Sequence, residues 1–500
     1  MALTFHIENF GCRAARADGE AVGSKLRATG LGEQPFSAAD LVVVNTCSVT
    51  AEADRAARVF IRRTHRLNPA ARIVVTGCYA QRAPQELAAL SGVAAVVGNS
   101  HKALAPEIIL GMMPDNGLIQ IQAPATLMRA SSEPLAAPQV LVWADDRFAH
   151  SFLEEAQITP GAQTRPNLKI QEGCGNRCTF CVIPQTRGSS NSLPHAVVLR
   201  QVAGFVAAGG NELVLSGINL GRWGRDLPEA AAPRRKTLAN LVREIFERTA
   251  LNRLRLSSIE PMDWDAELIE LLAEFGGTRL ARHAHLPLQS GSDAVLRRMH
   301  RRYRPWHYAE KVAALVRAAG PELTLGADVM VGFPGETDGE FGETLELLRS
   351  LPFGYLHLFP FSPRPATPGW VLHAERPVPA AVVEERMKAL RVLAAEKSEC
   401  HRRRFIGREL EAITLHSSDD LQARGRTSAL TENFLPVEIE GRIEANRLLR
   451  LRVAGLNAEG TLEALPSEPE PSQYAATAIS VKPKSVPLKS SSSPVSLARA

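Results

Sequence analysis

Short apolar runs alternate with longer amphipathic stretches along most of this 500-residue chain. Near the start, Phe5–Phe10, Leu41–Thr46 and Ile73–Gly77 are strand-like, and each is followed by a helix-like stretch. Apolar runs that alternate with helices read as buried parallel strands. A small parallel α/β unit is therefore expected over residues 1–110. Periodicity fades from 111 to 160, where Gly111, Pro114, Gly117, Pro124, Pro134 and Pro138 punctuate the chain. That stretch reads as a linker with little fixed structure. The alternation resumes over 161–404, with candidate strands Leu168–Ile170, Glu212–Gly217, Arg253–Ile259, His283–Gln289, Thr324–Val331 and Tyr355–Phe361. Six strand–helix repeats predict a parallel barrel that stops short of the eight-stranded form. A long helical stretch, Pro377–Arg404, closes the block. Over 405–464, the runs Leu410–Leu415, Leu435–Glu440 and Leu448–Val453 predict a small β-barrel of the kind that binds oligonucleotides. From 465 to 500 the chain is rich in Pro, Ser and Lys, cannot bury a core, and is expected to be disordered.

Composition adds little to that outline. A length of 500 residues implies two to four domains. The net charge of +5 is too mild to argue for nucleic acid. Local runs argue more: Arg297-Arg298, Arg301-Arg302-Tyr303-Arg304 and His401–Arg404 are either solvated helix faces or phosphate-contacting strips. The small β-barrel also carries Arg408, Arg424, Arg426, Arg442, Arg447, Arg450 and Arg452 as candidate phosphate contacts. Met1–His6 does not look like a secretory signal, and no run of about 18 apolar residues suggests a membrane span.

The seven cysteines carry the chemistry. Cys174, Cys178 and Cys181 form a Cys-x3-Cys-x2-Cys run just after the first barrel strand. Zinc sites prefer Cys-x2-Cys pairs and four ligands, and neither a second pair nor a nearby His follows. Three thiolates on a [4Fe-4S] cluster leave one iron free for a small molecule. Cys12, Cys47 and Cys78 each follow an apolar run, so a parallel sheet brings them to one edge. The bland reading of that second triplet is three buried structural thiols. Cys400 is left over as a packing residue. Thiolates reserved for iron imply a reducing compartment, hence the cytoplasm.

The Cys174–Cys181 run resembles the signature of radical S-adenosylmethionine (SAM) enzymes. Over roughly residues 3 to 464 the chain resembles the radical-SAM methylthiotransferases. The stretches that carry this are Asn45–Thr50, Thr76–Gln81, Ile170–Cys174, Ser257–Pro261, Leu286–Ser292, Val331–Thr337 and Phe359–Pro365. Asn45–Thr50, Gly217–Gly221 and Ser257–Pro261 look most like the branch that modifies threonylcarbamoyladenosine in tRNA. Two features depart from the family. Arg13-Ala-Ala-Arg16 replaces the usual Lys-Val-Asn-like run after the first cysteine, and Gln185 stands where an aromatic is common.

The resemblance implies a fold of three parts: a cysteine-bearing α/β domain, a radical-SAM partial barrel and a TRAM barrel. It implies two [4Fe-4S] clusters, on Cys174/Cys178/Cys181 and on Cys12/Cys47/Cys78. The first would bind and cleave SAM, and the second would carry the sulfur to be transferred. The product would be a methylthio group on C2 of the adenosine beside the anticodon, position 37. Partners would be tRNA, an electron-donor protein and a sulfur donor, with no membrane. Gly209 and Gly210 are expected at the SAM methionine, Glu260, Gln289 and Ser290 at its ribose or methionine, and Gly332 to Gly335 along its adenine. Each has an ordinary alternative: a helix cap for the glycine pair, satisfied structural polars for Glu260 and Gln289. The histidines are expected as surface or core residues. Alternative functions are methylthiolation of isopentenyladenosine or of a ribosomal-protein aspartate. A non-enzymatic iron–sulfur RNA-binding protein also fits.

Overall fold

Val-rich strands with both faces covered build the first layer. The computed structural model describes residues 3–112, 140–148, 164–228 and 237–467. The expected tail from 468 and most of the expected linker lie outside the described residues. Thr4–Asn9, Leu41–Thr46, Arg72–Gly77 and Val93–Gly98 pair in parallel, with Gly32–Glu33 and Leu141–Trp143 at the two edges. Leu41 to Thr46 are all buried, as a central parallel strand requires. Helices Arg13–Ala28 and Ala51–Leu67 follow the first and third of the six strands in chain order. Thr50 caps the second helix by accepting from the Ala53 N–H, with Glu52 and Asp54 in its first turn.

The edge strand Leu141–Trp143 corrects the linker expectation. Val140 and Val142 pack on one face of the sheet and Trp143 on the other. That alternation is a strand signal, which the flanking prolines obscured.

Six parallel strands then form the partial barrel. Asn167–Glu172, Glu212–Gly217 and Arg253–Leu256 make one sheet, with Asn191–Ser192 antiparallel at its edge. His283–His285, Thr324–Val331 and Phe353–Pro360 make the other. The two meet where Ala281 N donates to Leu254 O and Ile259 N to His285 O, both at 3.0 Å. Outward positions such as Leu213, Leu215, Leu254, Leu256, Leu325 and Ala327 bury against the surrounding helices. The alternate positions point inward and are polar: Lys169, Gln171, Glu212, Arg255, His285 and Asp328. The barrel thus encloses a charged lumen rather than an apolar core. Helix Ala380–Arg403 closes the block, with Cys400 exposed on it rather than packed.

Five strands, Glu409–Thr414, Arg426–Thr431, Pro436–Glu440, Leu448–Leu456 and Leu462–Pro466, close into the terminal barrel. Its turn Thr431–Phe434 docks on the amino-terminal end of the partial barrel. Arg255 Nη2 donates to Thr431 O at 3.2 Å, Arg282 meets the Glu432 carboxylate at 2.7 Å, and Asn433 Nδ2 donates to Glu322 O at 3.0 Å. The Phe434 ring stacks 4.2 Å from His283, so the turn floors the lumen. Glu432 is buried and Arg282 only partly so. We expect Glu432→Ala to lower stability by about 2 kcal/mol, below the usual cost of breaking a fully buried pair because Arg282 keeps access to water. Thermal unfolding of the two proteins measures it.

Candidate functional site

Three neighbouring parallel strands deliver Cys12, Cys47 and Cys78 to one sheet edge. Cys12 is exposed, and Cys47 and Cys78 are buried. Gly11 sits at φ 101°, and a Cβ there would overlap the Cys47 side chain. Only glycine therefore lets the Cys12 loop press on Cys47. Burial pushes the Cys47 thiol up to about 12, and the nearby Cys78 and Cys12 add to it, so the three sulfurs share one neighbourhood.

Cys174, Cys178 and Cys181 occupy the loop that leaves strand Asn167–Glu172 at the carboxyl end of the barrel. Burial pushes Cys181 up to about 12, with further contributions from Cys178 and Cys174. Donors surround these sulfurs. Asn176 N lies 3.4 Å and Asn219 Nδ2 3.6 Å from Cys174 Sγ, and Arg301 Nη1 lies 3.3 Å from Cys178 Sγ. Arg301 also pairs with Glu260 and donates to Tyr303 Oη at 3.2 Å. Asn176, Cys178, Glu260, Arg301 and Tyr303 line a small open cleft.

The spacing of the sulfurs argues against zinc. A single tetrahedral zinc at about 2.3 Å from each sulfur draws its ligands to under 4 Å of one another. Among the described residues, the one group of three ligand atoms within 4.8 Å is His285, Asp328 and His357, and neither cysteine triplet is drawn in so far. A multi-iron core spaces its ligands more widely than a single zinc does. The lumen also holds buried polar atoms without partners at the carboxyl ends of successive strands: Ser216 Oγ, Asn219 Oδ1, Ser257 Oγ and Gln289 Oε1. Such atoms fit a polar ligand lying across that edge.

One short helix joins the two triplets. Ile183–Arg187 begins two residues after Cys181, and Arg187 Nε reaches Cys78 Sγ at 3.2 Å. Asn99 Nδ2 bridges the same junction, 3.4 Å from Cys78 Sγ and 2.8 Å from Thr186 O. Arg187 is buried among Asp18, Lys102, Lys169 and Glu172. Its Nη1 lies 3.1 Å from Asp18 and 2.7 Å from Glu172, Lys102 Nζ lies 3.0 and 2.8 Å from the same two carboxylates, and Lys169 contacts both. Burial opposes the charge on Asp18 and Glu172, yet the three cations hold both carboxyls below their ordinary range. A second clamp lies nearby: Asp54 accepts from Arg364 at 2.7 Å and from Arg82 at 3.0 Å.

The expected SAM contacts divide. Gly209 and Gly210 are corrected. They cap helix His195–Ala207 and sit at the entry end of strand Glu212–Gly217, where Gly209 O accepts from Asn446 of the terminal barrel at 2.9 Å. The strand's far end, roughly 20 Å away, carries the chemistry. Asn219, beyond Gly217, reaches Cys174 instead. Glu260 lies beside the Cys178 loop. Gln289 stands at the strand edge with φ 65°, an uncommon conformation fixed by backbone bonds to Asp328 O and from Met330 N. The Ser290 hydroxyl is engaged with Thr344, Gly332 N donates to Glu336, and Gly335 N donates to Arg376 O.

The basic runs also change meaning. Arg301 is buried on a cysteine sulfur rather than on a solvated face, and His401 is buried against Thr324. The terminal barrel has seven arginines against ten carboxylates over 405–464. Arg424, Arg426 and Arg452 are each paired with one and Arg408 with Glu322 of the partial barrel, so this barrel does not present a basic face of seven free arginines. Sequence reasoning passed over Arg187, Asn99, Asn219 and the His285–Asp328–His357 group. Only Asn219, in the Gly217–Gly221 stretch, lay within a quoted motif.

A three-cysteine loop on the carboxyl edge of a partial barrel defines a radical SAM enzyme. Residues 168–348 match the Radical SAM superfamily, and residues 4–98 match a family described as "Uncharacterized protein family UPF0004". A threonylcarbamoyladenosine tRNA methylthiotransferase MtaB from Aquifex aeolicus is 33% identical over 89% of this chain and 99% of its own length. One of the same name from Bacillus subtilis is 34% identical over 88% and 90%. A tRNA-2-methylthio-N(6)-dimethylallyladenosine synthase from a Parafrankia species is 32% identical over 91% and 84%. The chain belongs to the radical-SAM tRNA methylthiotransferases. It is an enzyme that uses SAM and two [4Fe-4S] clusters.

The buried ion cluster makes the junction acid-sensitive. Carboxyls with folded pKa values below their unfolded ones stabilise fully above about pH 5, and that stabilisation is lost as pH falls through the depressed values. We expect stability to fall steeply below about pH 4, and Asp18→Asn to flatten that fall while costing about 3 kcal/mol at pH 7. Unfolding curves between pH 7 and 3 measure both.

Proposed function

We propose that this chain adds a methylthio group to C2 of N6-threonylcarbamoyladenosine at tRNA position 37. The observation that carries the reading is the convergence of two cysteine triplets on one short helix, at the mouth of a polar lumen. Relatives named threonylcarbamoyladenosine tRNA methylthiotransferase, 33% and 34% identical to this chain, supply the substrate. Cys174, Cys178 and Cys181 hold one [4Fe-4S] cluster, and Cys12, Cys47 and Cys78 hold the other. When bound, these groups and SAM supply the one-electron chemistry needed at C2–H, which is neither acidic nor electrophilic.

The chain's own residues do the positioning. Arg301 donates to Cys178 and braces Glu260 at the cleft, and Asn219 and the Asn176 N–H donate to Cys174. Arg187 and Asn99 donate to Cys78. Donors to ligand sulfurs stabilise the more reduced state and raise its potential. Ser216, Ser257 and Gln289 offer unpaired polar atoms to SAM across the strand ends. Glu260 and the turn from Gly332 to Gly335 border the same edge, whereas Gly209 and Gly210 take no part.

A one-electron reductant and a sulfur donor complete the stoichiometry. We infer a cytoplasmic setting, where tRNA meets reduced thiols.

Mass spectrometry of tRNA nucleosides from a strain lacking the gene, with and without complementation, tests the substrate. Restored methylthiolated threonylcarbamoyladenosine supports it, and restored methylthiolated isopentenyladenosine rejects it. Anaerobic reconstitution should yield about eight irons per chain. Cys174→Ala should keep about four and release no 5′-deoxyadenosine. Cys47→Ala should still release 5′-deoxyadenosine yet form no thiolated product. A wild-type plateau at about four irons would leave one triplet without a cluster.

A further inference from the structure

We propose that Arg13 and Tyr355 form an anion pocket in the lumen that takes the carboxylate of the substrate's threonylcarbamoyl group. The inference rests on the substrate reading above and deepens it. Arg13 opens helix Arg13–Ala28, one residue after Cys12. Arg13 is exposed. Among the described residues no carboxylate pairs with it. Its guanidinium lies over the Phe434 ring at 5.5 Å, and Arg255 flanks the same ring at 5.3 Å.

The negative charge nearby is already engaged: Asp328 lies 3.1 Å from His285 and 3.2 Å from His357. The groups that face Arg13 are Tyr355, Arg255, Arg165 and His283. Glu212 is already shared by Arg255 at 3.1 Å, Arg253 at 3.5 Å and Arg165 at 3.6 Å. Two donors nearby, Arg255 Nη1 and Arg165 Nε, are buried without partners, and the ring nitrogen His283 Nδ1 is unpartnered too. The exposed Arg13 beside the buried Arg255, with orphaned donors at hand, calls for an anionic acceptor. Tyr355 Oη lies 2.8 Å from His283 Nε2 and 2.9 Å from His285 Nδ1, which fixes it in place.

The threonylcarbamoyl group suits this place. Its carboxylate hangs from N6, and C6 and C2 flank N1 on one edge of adenine. When C2 turns toward the Cys12 triplet, the N6 substituent lies along the same side, within reach of the residue after Cys12. An isopentenyl group carries no charge and would leave Arg13 uncompensated, so the pocket also selects against it. An RNA phosphate is the other source of an anion.

The test uses the reconstituted full chain and anticodon stem-loops of one sequence. They carry threonylcarbamoyladenosine, its methyl ester, isopentenyladenosine or plain adenosine at the target position. Wild type should bind the acid about tenfold more tightly than the ester, the size of one charge-assisted hydrogen bond. Arg13→Met should abolish that gap, and Arg13→Lys should restore part of it. Tyr355→Phe should narrow it, and it stands as the second variant if Arg13→Met fails to load about eight irons. An undiminished acid–ester gap in Arg13→Met, or in Tyr355→Phe where that variant stands in, overturns the pocket. Equal weakening on the acid, ester and plain-adenosine RNAs assigns Arg13 to phosphate and overturns it too. Wild type that prefers the isopentenyl RNA rejects the substrate reading itself.

Discussion

Five buried charges hold the two halves of the chemistry at a set distance. Asp18 and Lys102 belong to the first sheet domain, and Lys169, Glu172 and Arg187 to the partial barrel. None could be buried alone, because an unpaired charge in a protein interior costs several kcal/mol. Pairs form within each domain and across the seam, so the full set of partners is present only when both domains are in place. Three cations face two carboxylates, and the surplus cation, Arg187, points at Cys78. Thiolates gathered around a cluster add negative charge there, so the excess has a counterpart. The same guanidinium ends the helix that starts beside Cys181. A shift at this junction would move one triplet against the other.

The lumen is built in the same cooperative way. Outward leucines fasten the strands to the helices, and the inward register is left to polar side chains. A lumen of that kind needs a floor, or water would reach it from below. The turn Thr431–Phe434 supplies it, which gives the terminal barrel a structural task besides any contact with RNA. The three pairings of Arg255, Arg282 and Asn433 spread that docking over several strands.

The architecture was largely legible because its signals are local. Valine runs marked the strands of the sheet, and the Cys-x3-Cys-x2-Cys spacing marked the loop. The cysteines could be grouped by a topological argument alone: each follows a parallel strand, so each leaves the same edge. What stayed hidden depends on partners distant in sequence. Arg187 looks like an ordinary arginine until Asp18, 169 residues away, is beside it. Arg301 sat in a basic run that reads as solvent-facing, and burial on Cys178 is a tertiary fact. Gly209 and Gly210 misled because a glycine pair suits a helix cap as well as a close approach to ligand. Here the pair precedes strand Glu212–Gly217, and the chemistry follows that strand. Val140 to Trp143 were hidden for a local reason, since proline-rich flanks outweighed a short alternating pattern.

Each domain contributes part of one cavity wall. The first brings Cys12 and Arg13, the second the strand ends and Tyr355, the third Phe434. No domain alone encloses the space where adenine would sit. Substitutions at the seams, far from any sulfur, should then act like substitutions in the site. Asp54, clamped by Arg82 and Arg364, is a case in point: it touches no cysteine, yet it fixes the helix that follows the Cys47 loop against the last barrel strand's exit. Losing its carboxylate leaves the buried Arg364 and the half-buried Arg82 guanidinium groups without a shared counter-charge. Their repulsion would act on the separation between triplets before it acted on either triplet's internal geometry. In such an enzyme the iron count can stay intact while transfer between the two sites fails, because loading depends on each loop and transfer depends on the distance between them.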